Sequence, residues 1–189
     1  MKTDIKKTLI NTKKEYISLE LNSTNKDEFL DRLASKICES EIIVEIQINN
    51  ISDFEALPIL KKARQICSIY NSLLIIKTRI DISEIINSDG VSLELNKDIP
   101  LQDAKKLVHD DKIFSCIFSD PQEYENLNEI DSDIIITKKE FLDGLNLNLN
   151  GSDLIYYLIS KSNKIIFTDE QFIKENKIDN NSKIKLFRI

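Results

Sequence analysis

The sequence predicts a (β/α)8 barrel that forms a single domain over residues 1–189. Eight strand-like apolar runs alternate with seven helical patterns, which is the element count of that barrel. The segment Leu73–Pro100 contains a strand, a short helix and a second strand, as expected for a parallel βαβ unit. No linker, repeat or low-complexity tract divides the chain. An open doubly wound sheet remains the alternative, although it usually has fewer strands.

Each predicted strand is a short run rich in branched apolar residues. The eight runs are Tyr16–Leu21, Ile42–Ile48, Leu73–Lys77, Gly90–Leu95, Lys112–Phe118, Asp133–Thr137, Lys164–Phe167 and Lys183–Ile189. Continuous apolar runs of this length are typical of parallel strands that are buried on both faces.

The predicted helices lie between these strands. They are Lys26–Cys38, Asp53–Tyr70, Ile82–Asn87, Leu101–His109, Pro121–Asn128, Ser152–Ser160 and Asp169–Glu175. Asp120 and Thr168 provide helix-capping side chains, and Pro121 suits a first helical position. In the second helix, apolar residues recur at spacings of three and four and predict one buried stripe. That stripe comprises Phe54, Leu57, Leu60, Ala63 (or Arg64) and Cys67.

The barrel is expected to be minimal and to lack the eighth helix, since no helical pattern follows the eighth predicted strand. Without that helix, an apolar strip would lie exposed between the seventh and first helices. The N-terminal segment, with Ile5, Leu9 and Ile10 at helical spacing, could cover a gap or an end of the barrel. A second subunit could do the same, so we expect a homodimer. The Asn-rich stretch 146–151 is interpreted as an enlarged loop after strand six.

Composition narrows the class of protein. A net charge of −6, with no basic cluster, argues against a nucleic-acid surface. No window has the ~18 apolar residues of a membrane span. Cys38, Cys67 and Cys116 are interpreted as reduced core thiols of a cytoplasmic protein. His109 lies in a polar turn and is expected to be a solvated loop residue.

Candidate site residues follow the predicted strands, because residues just past the C-terminal ends of parallel strands line the binding sites of α/β folds. Lys77 and Arg79 follow strand three, and Asp98 follows strand four. Lys138, Lys139 and Arg188 occupy comparable positions at strands six and eight. Together these cations could hold an anion, although a basic residue at a strand end is often a solvated rim charge.

The region 55–137 resembles the thiamine phosphate synthase family, which includes the related thiazole tautomerases. The family's third strand ends in Asn-Asp-Arg-x-Asp, and a Gly-Ala-Asp-Gly-Val-His-Leu pattern and an Asp-Leu-Pro follow. This chain has Lys77-Thr78-Arg79-Ile80-Asp81, then Asp89-Gly90-Val91-Ser92-Leu93, then Asp98-Ile99-Pro100. The resemblance implies a barrel that joins an aminopyrimidine pyrophosphate to a thiazole phosphate with loss of pyrophosphate. It also implies Mg²⁺ held by carboxylates, and glycine-rich loops around a phosphate.

This chain departs from the family pattern at most of those positions. The family's Gln-x-Arg-x-Lys on strand two aligns with Glu45, Gln47 and Asn49, so two cations are absent. Its strand-three Asn and Mg²⁺-binding Asp align with Lys77 and Thr78, whereas Arg79 is kept and Asp98 aligns with the second metal carboxylate.

The phosphate contacts of the family are also missing. A serine on strand five aligns with Ile117, the glycine pair after strand seven aligns with Thr168-Asp169, and a serine on strand eight aligns with Arg188. The whole chain has only Gly90, Gly144 and Gly151, too few for a backbone phosphate cradle. The favoured hypothesis is therefore a non-catalytic barrel that keeps the family scaffold and uses it for binding, regulation or partner assembly. Its candidate ligand is a phosphorylated small molecule, and no bound cofactor is expected. The alternative is an active transferase that uses Mg²⁺ at Asp98 and holds pyrophosphate with Lys77, Arg79, Lys139 and Arg188.

Overall fold

The computed structural model describes residues 9–13, 15–38, 41–94, 103, 106–119, 131–145, 149, 151–162, 164–178 and 184–188. Eight parallel strands form a closed barrel in chain order. The last strand pairs with the first from Glu15↔Leu186 to Ile17↔Arg188, which closes the sheet. The predicted barrel is confirmed, and the open doubly wound sheet is excluded.

The strands lie where the apolar runs place them. Their bounds are β1 Glu15–Leu21, β2 Ile42–Ile48, β3 Leu73–Lys77, β4 Gly90–Glu94, β5 Ile113–Phe118, β6 Ile134–Thr137, β7 Ile165–Asp169 and β8 Ile184–Arg188. Five strand residues in a row are buried in β2, and all six are buried in β5. This burial on both faces explains why the runs are continuously apolar.

Helices pack around the outside of the barrel. They are α1 Phe29–Ile37, α2 Asp53–Ile69, α3 Ile80–Ile86, α4 Lys139–Gly144, α5 Gly151–Ser162 and α6 Glu170–Glu175. Residues 106–107 of the predicted fourth helix are helical, and the predicted helix Pro121–Asn128 lies outside the described residues. Helix α4 is not among the predicted helices. Phe141 anchors it against Phe118, with ring centroids 5.6 Å apart.

Helix α2 buries most of the predicted stripe, since Leu60, Ala63 and Cys67 are buried and Leu57 packs partly buried against the same core, but Phe54 was wrongly included. Its buried residues are Ala56, Leu60, Ala63 and Cys67, whereas Phe54 is 89% exposed. Ser52 caps the helix by accepting from the Glu55 amide and donating to the Glu55 carboxylate, so that the first turn is fixed at Asp53. Phe54 then lies roughly 200° around the helix from Ala56, which turns the phenyl ring into solvent.

The interior of the barrel and the space beneath the helices form separate cores. The interior core comprises Ile10, Tyr16, Ile43, Leu73, Ile75, Ile113, Ile117, Ile134, Ile136, Ile165, Phe167 and Phe187. Alternate residues of the same strands, such as Val44 and Leu74, face outward into a layer shared with α1, α2 and α3. This alternation identifies which strand residues face the barrel interior.

Residues 9–13 cover the N-terminal end of the barrel, in agreement with one of the two roles expected for this segment. Residues 9–12 are helical, and Ile10, 1% exposed, belongs to the interior core. Lys185 of β8 reaches the segment and donates to the carbonyl oxygens of Ile10 and Asn11, each at 2.8 Å. The segment is therefore part of the packed barrel rather than a loose extension.

The Asp89-Gly90 pair holds the N-terminal ends of β3, β4 and β5 together. The Asp89 carboxylate accepts two hydrogen bonds from Arg64, each at 3.0 Å, and one from the Leu74 amide at 2.8 Å. A Cβ atom added at Gly90 would lie 2.1 Å from the carbonyl oxygen of Ile113. The pair therefore serves the stability of the barrel at the end opposite to the strand C-termini.

No helix in the described part of the chain is both long enough and apolar enough to cross a membrane.

Gly90→Ala is expected to destabilise the protein by about 2 kcal/mol or more, because β4 and β5 must separate to admit the methyl group. The urea midpoint measures the change. Gly144→Ala is the matched control: Gly144 is exposed at the end of α4, so its replacement should be neutral or mildly stabilising. An unchanged midpoint for Gly90→Ala would contradict the close approach of the strands.

Candidate functional site

A buried carboxylate lies in the barrel interior beneath the C-terminal ends of the strands. Glu45 of β2 is 1% exposed and accepts hydrogen bonds from three hydroxyl groups. Tyr16 donates at 2.9 Å, Ser18 donates at 2.8 Å, and Ser92 donates to the same oxygen as Tyr16. These four residues, called here the Glu45 cluster, come from β1, β2 and β4. The hydroxyl donors satisfy a charge that would otherwise be costly to bury.

Tyr16 links this cluster to the apolar interior. Its ring packs against Phe167 and Phe187, with centroids 5.3 and 5.7 Å away. Burial raises the pKa of the Tyr16 phenol well above its ordinary value, and the negative charge of Glu45 raises it further. Tyr16 therefore stays protonated and acts as a hydrogen-bond donor across the physiological range.

Lys77 lies at the barrel mouth, at the C-terminal end of β3. Its position alternates with Ile76, so that its side chain belongs to the inward-facing set with Ile75. The half-buried ammonium group lies 3.5 Å from the Gln47 side-chain oxygen. Ser119, directly after β5, donates to the carboxylate of Glu94 at the end of β4, at 2.8 Å. The mouth thus combines lysine with amide, hydroxyl and carboxylate groups.

Thr78 makes a tight turn directly after β3. Its φ angle is 66°, a left-handed conformation that is unusual for a β-branched residue. The Arg79 amide donates to the Lys77 carbonyl at 2.8 Å, and the Thr78 amide donates to the Ser92 carbonyl at 2.9 Å. This turn occupies the place at which the resemblance implies a metal-binding carboxylate.

Arg79 is held by two carboxylates. Its guanidinium group donates twice to Asp53, at 2.9 Å each, and twice to Asp81, at 2.9 and 2.7 Å. The hydrogen bonds from Arg79 lower the pKa of both aspartates, and those two carboxylates raise the pKa of Arg79. Arg79 therefore clamps the start of α2 to the start of α3.

Arg188 lies away from the other predicted site residues. Phe187 faces inward against Tyr16, so the alternation of β8 turns Arg188 to the outside of the barrel. There its guanidinium group lies 3.5 Å from Glu15 and 3.7 Å from Glu170. Arg188 thus bridges β1 and α6 on the outer face of the barrel beside β8.

The remaining candidates are only partly placed. Lys138 is the half-buried N-cap residue of α4, and Lys139 is the first residue of that helix. Asp98 and the side chain of Lys139 lie outside the described residues. The described residues contain no group of three or more His, Cys, Asp or Glu side chains that could hold a metal ion. With Thr78 at the strand-three position and Asp53 and Asp81 bound to Arg79, the described residues do not fit a Mg²⁺ site.

The thiols and the histidine lie apart from this site. Cys67 and Cys116 are buried, and burial raises the pKa of Cys67 to about 12. Cys38 is exposed at the end of α1, so its prediction as a core thiol is wrong. Cys38 is the C-cap residue of α1 and lies beside the buried stripe of Phe29, Leu33 and Ile37 rather than on it. Its thiol donates to the Ser35 carbonyl. His109 is exposed as predicted and lies 3.9 Å from Glu84.

Sequence reasoning missed the Glu45 cluster. It treated Glu45 only as a lost match to the family's glutamine, since the donors come from separate strands. The signal that could have found it is a glutamate within the apolar run of β2, since a charge in a fully buried strand requires partners.

Comparison with known proteins gives a consistent family. Residues 20–137 match the family described as "Thiamine monophosphate synthase". The chain is 30% identical over 100 residues to a curated "Thiamine-phosphate synthase" of Clostridium novyi (strain NT), covering 53% of this chain and 48% of that protein. It is 26% identical over 122 residues to one of Fusobacterium nucleatum subsp. nucleatum, covering 65% and 59%. The chain therefore spans about half to three fifths of the length of these relatives.

A solved structure shares the fold over nearly the whole chain. It is described as "Thiamine phosphate pyrophosphorylase from Pyrococcus furiosus", with a TM-score of 0.73 and 16% identity, and the match covers 96% of this chain and 87% of that one. Other barrels, including a "Citrate Synthase SbnG" with a TM-score of 0.58 and 11% identity, match less closely. At these identities the structures show the fold alone.

Removing the acceptor of the Glu45 cluster should cost more stability than removing one donor. We expect Tyr16→Phe to lower the free energy of unfolding by about 1 kcal/mol. Glu45→Ala should lower it by about 3 kcal/mol, because the alanine leaves three buried hydroxyl groups without an acceptor. Urea denaturation measures both variants. Equal losses would count against Glu45 as the shared acceptor.

The Arg79 clamp should stabilise the fold in a pH-dependent way. The pKa values of Asp53 and Asp81 are lower when folded, so the stabilisation is complete above their ordinary value of 3.8 and is lost as the pH falls through the lowered values. Arg79→Gln should therefore be less stable than the parent at neutral pH, and the difference should disappear in acid.

Urea midpoints at several pH values measure this difference. Arg32→Gln is the matched control, since Arg32 is an exposed arginine on α1 with no ion pair among the described residues. A difference that persists unchanged into acid would show that Arg79 stabilises the fold by packing alone.

Proposed function

The chain belongs to the thiamine monophosphate synthase family, and on that premise we propose that it keeps the family barrel as a non-catalytic scaffold for binding or assembly rather than as a competent synthase. The proposed link to thiamine biosynthesis rests only on this family relationship. Since a fold hosts many activities, the residues at the barrel mouth carry the argument.

The engagement of Arg79 is the main observation behind the proposal. Four hydrogen bonds to Asp53 and Asp81 occupy the guanidinium group, and those two carboxylates flank any approaching anion. A pyrophosphate would have to displace both aspartates and then lie beside their charges. Pyrophosphate binding is therefore less favourable here than at an arginine whose N–H donors are open to the ligand.

The charges around the mouth support the same conclusion. Arg188 lies outside the barrel with Glu15 and Glu170, while the carboxylates of Glu45 and Glu94 occupy inward-facing positions. Thr78 stands where the resemblance implies a metal-binding carboxylate, and the described mouth offers Lys77 and Lys138 beside carboxylates, which supports a poor fit for pyrophosphate and Mg²⁺.

A transferase that joins an aminopyrimidine pyrophosphate to a thiazole phosphate is the second candidate. Lys77 favours it, because this lysine faces the mouth beside Gln47 within the region that matches the family. Lys77 could contact a phosphorylated small molecule as a point charge. In this alternative, Lys139 would add a second cation and Mg²⁺ would be held at Asp98.

We also propose that the protein is cytoplasmic and that it forms a homodimer through the outer face of β8. The half-buried Leu186 and the exposed Arg188 lie on that face. Light scattering at high protein concentration tests the dimer, and a monomer would contradict it.

Purified protein should release no thiamine phosphate when mixed with Mg²⁺, the aminopyrimidine pyrophosphate and the thiazole phosphate, because among the described mouth residues Arg79 is held by two aspartates and Thr78 stands at the metal-binding position. Liquid chromatography measures the product, and calorimetry with pyrophosphate and Mg²⁺ is expected to give no binding heat.

Lys77→Ala and Arg79→Ala serve as matched variants. Product that requires Lys77 would overturn the scaffold proposal and support the transferase. Product lost with Arg79→Ala as well would indicate that the arginine leaves its aspartates when substrate binds.

A further inference from the structure

We propose that Lys77 binds a small uncharged aldehyde at the barrel mouth by forming a reversible imine with it. The inference rests on the proposed function, since it names a ligand class for a barrel that binds a small molecule without synthesising thiamine phosphate. One amine, two serine hydroxyl groups and a buried carboxylate carry it.

The Lys77 side chain differs from the other lysines that the barrel encloses. It is half-buried and faces inward, and its single hydrogen bond among the described residues is a weak one, 3.5 Å long, to the Gln47 side-chain oxygen. It forms no ion pair within the described part of the chain. The buried Lys13, Lys112 and Lys185 instead donate to backbone carbonyl oxygens. Lys77 is therefore an enclosed amine that the fold does not use.

Two serines lie beside Lys77 in the sheet. Ser92 of β4 is the register partner of Lys77, and Ser115 of β5 is the register partner of Ser92. Ser115 faces inward, because Ile113 and Ile117, two positions away on either side, belong to the interior core. Both serines are completely buried. An amine and two hydroxyl groups thus occupy neighbouring positions on three consecutive strands.

The Ser115 hydroxyl is the observation that points to a ligand. It has no hydrogen-bond partner among the described residues, whereas the Ser92 hydroxyl donates to the Glu45 carboxylate. A buried hydroxyl group without a partner is unfavourable, and such groups are usually satisfied by ordered water or by a bound molecule. Ser115 can donate to an oxygen atom of a molecule held at Lys77.

Two carboxylates select an uncharged ligand over an anionic one. Glu45 is hydrogen-bonded to Ser92, and Glu94 lies two residues beyond Ser92 on the same face of β4. Both carboxylates repel a ligand that carries a carboxylate or phosphate group, and both stabilise the positive charge of a protonated imine on Lys77. A short hydroxyaldehyde, which has no charge and can accept from Ser115, matches these groups.

Imine formation needs no oxidant or reductant. The Lys77 ammonium group gives a proton to water, and the lone pair of the neutral amine forms a bond to the carbonyl carbon. The carbonyl oxygen takes the π electrons and one proton from the nitrogen, which gives a carbinolamine. The carbinolamine loses its hydroxyl group and the last amine proton as water to leave the imine, and hydrolysis reverses these steps. The Ser92–Glu45 pair lies beside Lys77 and can accept and return the transferred protons.

Reductive trapping tests the inference in the full chain. Purified protein is mixed with glycolaldehyde and sodium cyanoborohydride at about pH 9, where a small fraction of lysine amines is neutral. Hydride reduces the imine to a stable secondary amine, and peptide mass spectrometry locates it. Lys77 should be labelled at least about tenfold faster than Lys61 and Lys62, two exposed lysines of α2, because its neighbours assist proton transfer. Burial alone would make Lys77 the slower lysine.

Matched ligands and variants separate the proposed contacts from general reactivity. Glyoxylate has the same two-carbon aldehyde skeleton and a carboxylate, so its preference for Lys77 over Lys61 should be severalfold weaker than that of glycolaldehyde. Ser115→Ala should lower the labelling of Lys77 and leave that of Lys61 unchanged. Ser132→Ala is the control, since Ser132 also has a buried, unpartnered hydroxyl but precedes β6 at the opposite end of the barrel, and this variant should change neither rate.

The comparison of lysines within one molecule does not depend on the folding of any variant. Labelling of Lys77 no faster than that of Lys61 would overturn the inference, as would an equal preference for Lys77 with glyoxylate or an unchanged rate in Ser115→Ala. The thiamine phosphate measurement is a separate readout. Absence of both product and Lys77 labelling would refute the imine and leave the scaffold standing, whereas product formation would refute the scaffold.

Discussion

The pairing of β8 with β1 is the constraint on which the rest of the structure depends. Hydrogen bonding from Glu15↔Leu186 to Ile17↔Arg188 converts a row of parallel strands into a closed barrel. Closure gives every inward-facing side chain the same small interior, and it leaves no sheet edge exposed. A charge on any strand must then find its partners across that interior. The Glu45 carboxylate does so with hydroxyls from β1 and β4, while Tyr16 connects it to the rings of Phe167 and Phe187.

The two ends of this barrel use their polar residues differently. At the N-terminal end, Asp89, Gly90 and Lys185 join neighbouring strands and hold the terminal segment in place. At the C-terminal end, Arg79 holds the first turns of α2 and α3 together through their aspartates. Part of the family-like pattern thus stabilises the scaffold. This separation is physically reasonable, because a barrel can remain stable after the groups at its mouth have changed.

The turn directly after β3 holds backbone strain. Thr78 keeps a left-handed φ of 66° directly after β3, a conformation that asparagine or aspartate adopts more readily than a β-branched residue. The surrounding hydrogen bonds to Lys77 and Ser92 enforce the turn whichever side chain occupies it. The backbone conformation of this turn therefore does not depend on which side chain occupies it. A family-like backbone at the end of a strand does not establish that the family's binding residues are present.

The amino-acid sequence by itself determined the barrel, its eight strands and the exposed His109, because apolar runs, caps and spacing are local properties of the chain. Residue type and strand position also identified Lys77 as a mouth residue. Tertiary structure decided that Arg79 is held by aspartates, that Arg188 faces outward and that Phe54 lies in solvent. It also decided that Glu45 is satisfied within the barrel. Those outcomes depend on the phase of a strand or helix and on partners far away in sequence, neither of which a local pattern contains.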